Sequence, residues 1–131
     1  MLDSLTIEKI VKKFQNDSSF CAVYLMGSAA RGQMRPDSDI DIALLPAAGK
    51  KIDDLKRLAL AADISFTSGL KLDIGILSTA NLVYAKEAIL TGVEIYVKDR
   101  VYTDLMTTTL LGMYLDFQDQ RREVLNAYRI G

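Results

Sequence analysis

The sequence predicts an α/β or α+β domain of four strands, with helices packed mainly on one face of the sheet and a long C-terminal helix. Three observations carry this prediction. Helical and strand patterns alternate along the chain, as layered α/β and α+β arrangements require. The run Phe20 to Met26 (FCAVYLM) is continuously apolar and of strand length, which suits a strand buried on both faces. The 131 residues match one domain and can bury about two-thirds of the unfolded surface without disulfides or a structural metal. A single domain over residues 1–131 is therefore expected.

The elements follow in order. From about Thr6 to Phe14, Ile7, Ile10, Val11 and Phe14 recur at helical spacing, and Asn16-Asp17-Ser18-Ser19 stops the helix. After the Phe20–Met26 strand, Gly27-Ser28 makes a break and Ala29-Ala30-Arg31-Gly32 suits a short helix. Arg35-Pro36-Asp37-Ser38 is a turn, and Asp39 to Leu45 (DIDIALL) is a second strand closed by Pro46. Lys51 to about Phe66 reads as a helix presenting Ile52, Leu55, Leu58, Ala59, Ala62 and Phe66 on one face, with Gly69 as its stop. Leu70 to Leu77 (LKLDIGIL) alternates cleanly as a third strand. A helix capped by Thr79 or Asn81 runs to Leu90, and Val93 to Val97 forms a short fourth strand. The last helix starts near Asp99 or Thr103 and reaches Tyr128, with a bend expected near Gly112. Its stripe is Leu110, Met113/Tyr114, Phe117, Arg121, Val124/Leu125 and Tyr128.

Composition excludes several chemistries. Histidine is absent, so Ser-His-Asp and Cys-His catalysis and imidazole metal sites are impossible. Cys21 is the only cysteine, which leaves no internal disulfide and no thiolate zinc site; within its apolar run it reads as a small buried hydrophobe. Sixteen basic and 17 acidic residues give a net charge of −1, which disfavours a general nucleic-acid binder. No apolar stretch approaches a membrane span, and Met1-Leu2-Asp3-Ser4 lacks a signal-peptide pattern, so a soluble, cytoplasmic protein is expected. Carboxylates, hydroxyls, backbone N–H groups, Arg and Lys must carry the chemistry.

Three features supply such groups. Gly27-Ser28 leaves a buried strand into a helical turn, where backbone N–H groups and a hydroxyl suit a phosphate; taken alone, it reads more readily as an ordinary strand-to-helix turn. In Asp39-Ile40-Asp41, residues two apart on a strand share a face, so both carboxylates leave one side while Ile40 and Ile42 enter the core. Their mutual repulsion is relieved by a cation, and hard oxygen ligands without histidine suit Mg²⁺ or Mn²⁺. Asp73 shares a face with Lys71 and Gly75, and becomes a third carboxylate of the cluster if its strand lies beside Asp39–Asp41; otherwise it is a surface residue.

Gly27-Ser28, ten residues, then Asp39-Ile40-Asp41, within GSAARGQMRPDSDIDI, resembles the signature of the polymerase-beta-type nucleotidyltransferase superfamily, and in particular the single-domain minimal nucleotidyltransferases (MNT). The motif covers about sixteen residues. A looser match of helix order, third aspartate and C-terminal helix extends over nearly the whole chain.

The resemblance implies the nucleotidyltransferase fold with a mixed sheet, and transfer of a nucleoside monophosphate from a triphosphate to a hydroxyl with release of pyrophosphate. It places Gly27 and Ser28 on the β/γ-phosphates. Asp39 and Asp41 hold two Mg²⁺ ions (Mn²⁺ as substitute), and Asp73 completes the second metal site and accepts the acceptor's proton. Arg31 neutralises the triphosphate or forms a surface ion pair, and Ser38 belongs to the same binding motif.

Small MNT proteins commonly act as antitoxins that add AMP from ATP to a tyrosine of a helical HEPN RNase toxin. The chain is too short for the helical domain that presents the acceptor in larger relatives, so a HEPN-type partner in a hetero-oligomer is expected, with no membrane or direct nucleic-acid contact. The last helix can dock that partner through Tyr114, Phe117 and Tyr128 or use this stripe as its core face, and both can hold, since a long helix has two usable sides. Two rival readings are a non-catalytic antitoxin that masks its toxin and a small-molecule nucleotidyltransferase of the aminoglycoside-modifying kind.

Overall fold

A computed structural model describes residues 4–30 and 39–130, with the backbone alone at 28, 29, 67, 129 and 130. Helix α1 (Ser4–Gln15) is followed by β1 (Phe20–Met26), the single turn α2 (Gly27–Ala30) and β2 (Ile40–Pro46). Then come α3 (Asp54–Ser68), β3 (Leu72–Ile76), α4 (Leu82–Thr91), β4 (Val93–Val97) and α5 (Arg100–Ile130). The sheet is mixed and ordered β3-β2-β1-β4, with β1 antiparallel to both neighbours and β2 parallel to β3. The four expected strands are all present. The parallel pair requires a crossover, and α3 supplies it.

Local chemistry sets the helix ends. Asp53 caps α3, accepting from the Lys56 N–H at 2.7 Å, and Gly69 ends it in the left-handed region at φ 73°. The helix therefore starts three residues later than Lys51. Asn81 caps α4 by accepting from the Tyr84 N–H at 3.1 Å. Asp99 does the same for α5 through the Tyr102 N–H, and α5 continues through Gly112 without interruption.

The helices are shared between both faces of the sheet, which corrects the expectation that they lie mainly on one. Ile7, Ile10 and Phe14 of α1 and Leu60, Ala61 and Ile64 of α3 pack on Val23, Leu25, Ile40, Ile42, Leu44 and Ile74. Ala85 and Ala88 of α4 and Leu110 of α5 pack on Ala22, Tyr24, Ala43 and Leu45. The reason lies in β1. Its residues from Phe20 to Leu25 are all buried, and a strand apolar on both faces needs cover on both. An irregularity in register between Phe20 and Ala22 puts Cys21 and Ala22 together on the α4/α5 side. Cys21 is buried as expected, with its Sγ 3.1 Å from the Thr103 hydroxyl.

Two helices bury a different stripe from the one predicted. In α3, Leu55, Leu58 and Phe66 are exposed, and the inward face carries Leu60, Ala61 and Ile64. Both stripes have helical spacing, so periodicity does not choose between them. Tertiary bonds do: Arg57 donates to the Ile74 carbonyl at 3.1 Å and Lys56 to the Ser19 hydroxyl at 2.6 Å, which fixes the rotation of the helix. In α5, Tyr102, Met106 and Leu110 pack inward with the buried Thr103, whereas Phe117, Val124, Leu125 and Tyr128 of the predicted stripe are exposed. No helix among the described residues is long and apolar enough to cross a membrane.

Candidate active site

The site is built at one end of the three strands β1, β2 and β3. Antiparallel pairing sets Met26, the last residue of β1, opposite Asp41. Parallel pairing sets Asp41 opposite Asp73. Directly paired residues point to the same side of a sheet, so both carboxylates emerge together on the α4/α5 face. Ile40, Ile42 and Ile74, their neighbours in sequence, are buried on the other face. Alternation in DIDI and LDIGI thus converts a hydrophobic core on one side into paired acids on the other.

Gly27 closes the site from the β1 side. Its φ of 61° is the left-handed conformation that side chains resist, and a Cβ there would stand 2.7 Å from Asp41 Oδ2. Glycine is required on both counts, and the bend brings the backbone against the carboxylate. Together Met26, Gly27, Asp41, Asp73, Gly75, Tyr84 and Glu87 line an open pocket of about 440 Å³. Asp39 is exposed, just ahead of β2. Arg31 and Ser38 lie outside the described residues, as does the Ser28 side chain.

Electrostatics mark the pocket as a place that wants a cation. Burial, then the charges of Asp73 and Asp39, raise the Asp41 carboxyl above its ordinary range. Burial and the charges of Asp73 and Asp41 push the Tyr84 phenol up to about 12, against the opposing pull of Arg57. The donors are hard oxygens, in keeping with Mg²⁺ or Mn²⁺. Among the described residues no group of three acidic, cysteine or histidine side chains is already drawn together as a cage. Mg²⁺ does not need one, since it binds through one or two carboxylates completed by water and substrate phosphate. The residues present therefore fit a divalent ion that arrives with a nucleotide.

Tyr84 and Glu87, one turn apart on α4, were not singled out from the sequence. The signal was Gly75, two residues beyond Asp73 on the same face. A Cβ at Gly75 would overlap the Tyr84 phenol, so its absence marks where a neighbour's ring lies against the strand.

Comparison with known proteins identifies the family. The family model described as Polymerase beta, Nucleotidyltransferase matches residues 8–101, the stretch that contains β1, β2, β3 and α4. The chain belongs to the polymerase beta nucleotidyltransferase family. A relative from Shewanella oneidensis, the protein adenylyltransferase MntA, is 25% identical over 126 residues, covering 95% of this chain and 88% of the relative. Two solved structures share the nucleotidyltransferase fold. One is a toxin–antitoxin with AMP-PNP (TM-score 0.79, 24% identity, 94% of this chain and 98% of that one). The other is a tri-AMPylated S. oneidensis HEPN toxin in complex with its MNT antitoxin (TM-score 0.75, 22% identity, 98% and 99%). The match over almost the full length takes in α5, nearly all of which lies beyond the residues covered by the family model.

Proposed function

We propose that residues 1–131 form a single minimal nucleotidyltransferase domain that acts as an antitoxin, transferring AMP from ATP to a tyrosine hydroxyl of a HEPN-type toxin. The observation that carries the reading is the in-register pairing of Asp41 with Asp73 against the Gly27 bend, in a chain of this family. The relative MntA, a protein adenylyltransferase, supports the reaction class, and the similar structure of an MNT antitoxin with its AMPylated HEPN toxin supports the partner.

In this reading the backbone N–H groups at Gly27 and Ser28 hold the β/γ-phosphates, with Arg31 and Ser38 as further contacts. Asp39, Asp41 and Asp73 hold two Mg²⁺ ions. When bound, the ions neutralise charge on the attacking and leaving oxygens of an in-line displacement. Asp73, on the strand farthest from Gly27, faces the acceptor and takes its proton. The acceptor oxygen bonds to the α-phosphorus as the bond towards the β-phosphate breaks, and pyrophosphate leaves. The mostly exposed second half of α5 offers Phe117, Val124, Leu125 and Tyr128 to the partner.

The test is to mix the partner toxin with the protein, ATP and Mg²⁺ and to weigh the toxin intact. Added nucleotide is expected with the wild type and none with Asp39→Asn/Asp41→Asn. Full rescue of toxin-expressing cells by that double variant would establish masking by contact in place of catalysis.

A further inference from the structure

Helix α3 is apolar on two opposite sides. Leu60, Ala61 and Ile64 turn to the sheet. Leu55, Leu58, Ala59, Ala62 and Phe66 form a second stripe, about 100° wide, on the side away from it. Phe66 is 91% exposed, Leu55 78% and Leu58 57%. A helix that is apolar all round belongs in an interior, and a contiguous apolar patch on a surface marks a place where another surface sits. The stripe takes no part in the acid pocket, because α3 covers one face of the sheet and Asp41 and Asp73 emerge on the other.

The pattern of this stripe is complementary to itself. Its large side chains Leu55 and Phe66 stand at the ends, about 16 Å apart along the axis, with the small Ala59 and Ala62 between them. Turned end for end against a second α3, Phe66 of one copy meets Leu55 of the other and Ala59 meets Ala62, and the small centre lets the two helices approach closely. Charge follows the same symmetry. Lys56 and Asp63 border the stripe on one side, towards its opposite ends. In an antiparallel pair that side faces itself, so Lys56 of each copy stands against Asp63 of the other. Within one copy Lys56 donates to the Ser19 hydroxyl at 2.6 Å and forms no salt bridge among the described residues, while Asp63 stands 3.7 Å from Lys13. An unrelated partner surface has no reason to match a stripe that is symmetric in size and antisymmetric in charge about the middle of the helix; a second copy matches it by construction.

We propose that α3 is a self-association surface, through which two copies of this chain pair antiparallel about a two-fold axis at the middle of the stripe. The contact uses the same patch on both copies and closes on itself, so assembly stops at a dimer. The acid pocket and α5 stay open in each copy, since α4 and α5 pack on the opposite face of the sheet. The pairing is independent of whether the chain transfers AMP.

Sedimentation velocity of the full chain between about 5 and 200 µM tests the dimer. The weight-average mass should rise from one chain towards two, with a dissociation constant on the order of ten micromolar, in keeping with a contact smaller than the standard of about 800 Å² per partner. Leu55→Glu/Phe66→Glu should raise that constant at least tenfold with an unchanged circular dichroism spectrum, since both side chains are exposed. Leu55→Gln/Phe66→Gln, which adds no charge, gives the same comparison if the first variant loses its fold. Mild oxidation tests the register, with Cys21 buried and out of reach. Leu55→Cys and Phe66→Cys proteins should cross-link when mixed and not separately, because antiparallel pairing sets these two positions together and holds like positions far beyond disulfide reach. A wild type that stays monomeric at 200 µM, a dimer undiminished in the folded double variant, or cross-linking of either cysteine variant with itself overturns the proposal. A monomeric wild type whose toxin binding is lost in the double variant also overturns it, and gives the stripe to the toxin.

Discussion

The two faces of the sheet carry opposite kinds of surface. Under α1 and α3 the strands present Val23, Leu25, Ile40, Ile42, Leu44 and Ile74, all buried and most of them large or β-branched. Under α4 and α5 they present Tyr24 and Leu45 together with the small Ala22 and Ala43, met by Ala85, Ala88 and Leu110, and at one end Asp41, Gly75 and Asp73 beneath Tyr84. The first face supplies hydrophobic stabilisation without polar complication. The second gives up side-chain volume so that α4 comes close, and this proximity brings a ring and a glutamate to the paired acids. The comparison teaches that both faces carry core but only one carries the acids, which sit one residue apart in sequence from the aliphatic side chains of the other.

The largest expected effect comes from the polar side. Asp41→Asn should lower transfer on the order of a thousandfold or more, while circular dichroism shows the fold retained. It should also raise the midpoint of thermal unfolding at neutral pH. The sign follows from linkage: Asp41 has a raised folded-state pKa, so its contribution is most favourable below the ordinary value of 3.8 and is lost as pH rises through the folded value. The variant's advantage should therefore be full at neutral pH, shrink on acidification and vanish below that value. Mg²⁺ with a non-hydrolysable ATP analogue should stabilise the wild type and not Asp41→Asn, by binding linkage. An Asp41→Asn protein less stable than wild type at pH 7 would reverse the assignment of the acid pair as a strained feature.

On the apolar side the effects invert. Phe14 is fully buried and makes an edge-on contact with Phe20 at 5.5 Å between ring centres. Phe14→Ala should cost about 3–5 kcal/mol in a urea titration, with transfer per folded molecule little changed. A specific loss of transfer at temperatures where the variant is folded would show that the faces are coupled.

Much of this division was legible in the residues. FCAVYLM, DIDIALL and LKLDIGIL each predict a strand, and alternation in the last two separates acids from aliphatics without any structure. The pairing of Asp41 with Asp73 was conditional on strand adjacency, which a crossover helix decides and composition does not. Two features escaped for the same reason. The burial of β1 on both sides demands helices on both faces, whereas the local pattern of each helix does not say which face it covers. LKRLALAADISF carries two apolar stripes of helical spacing, and the Arg57 bond to Ile74 that selects between them is a tertiary contact that periodicity does not show. Tyr84 is a residue of a helix with few polar signals, visible only through the glycine it covers.

Gly75 joins the two regions and gives a smaller effect. Gly75→Ala places a methyl where the Tyr84 phenol lies, so the ring must shift from its place, at about 1–3 kcal/mol. Replacing Tyr84 by alanine as well removes the clash, and the double-mutant cycle should show coupling on the order of 1 kcal/mol or more. Additive losses would mean that the ring does not hold this position in solution.

The smallest effect on stability is expected in α5, where the contrast between faces becomes one between halves of a helix. Its 31 residues span about 46 Å. The first three turns are anchored by the buried Thr103 and Leu110 and by Arg100, which joins Glu94 at 2.7 Å and Asp104 at 3.2 Å. Farther on, Val124 and Leu125 are more than half exposed, at 55% and 53%. Val124→Gln/Leu125→Gln keeps good helix formers and removes no core contact, so unfolding free energy should change by no more than about 0.5 kcal/mol. Partner binding should nevertheless weaken by about tenfold or more in a pull-down or calorimetric titration, because buried apolar anchors dominate protein interfaces. Equal partner binding by this variant would remove the second half of α5 from the docking surface and leave the partner to contact the domain around the acid pocket alone.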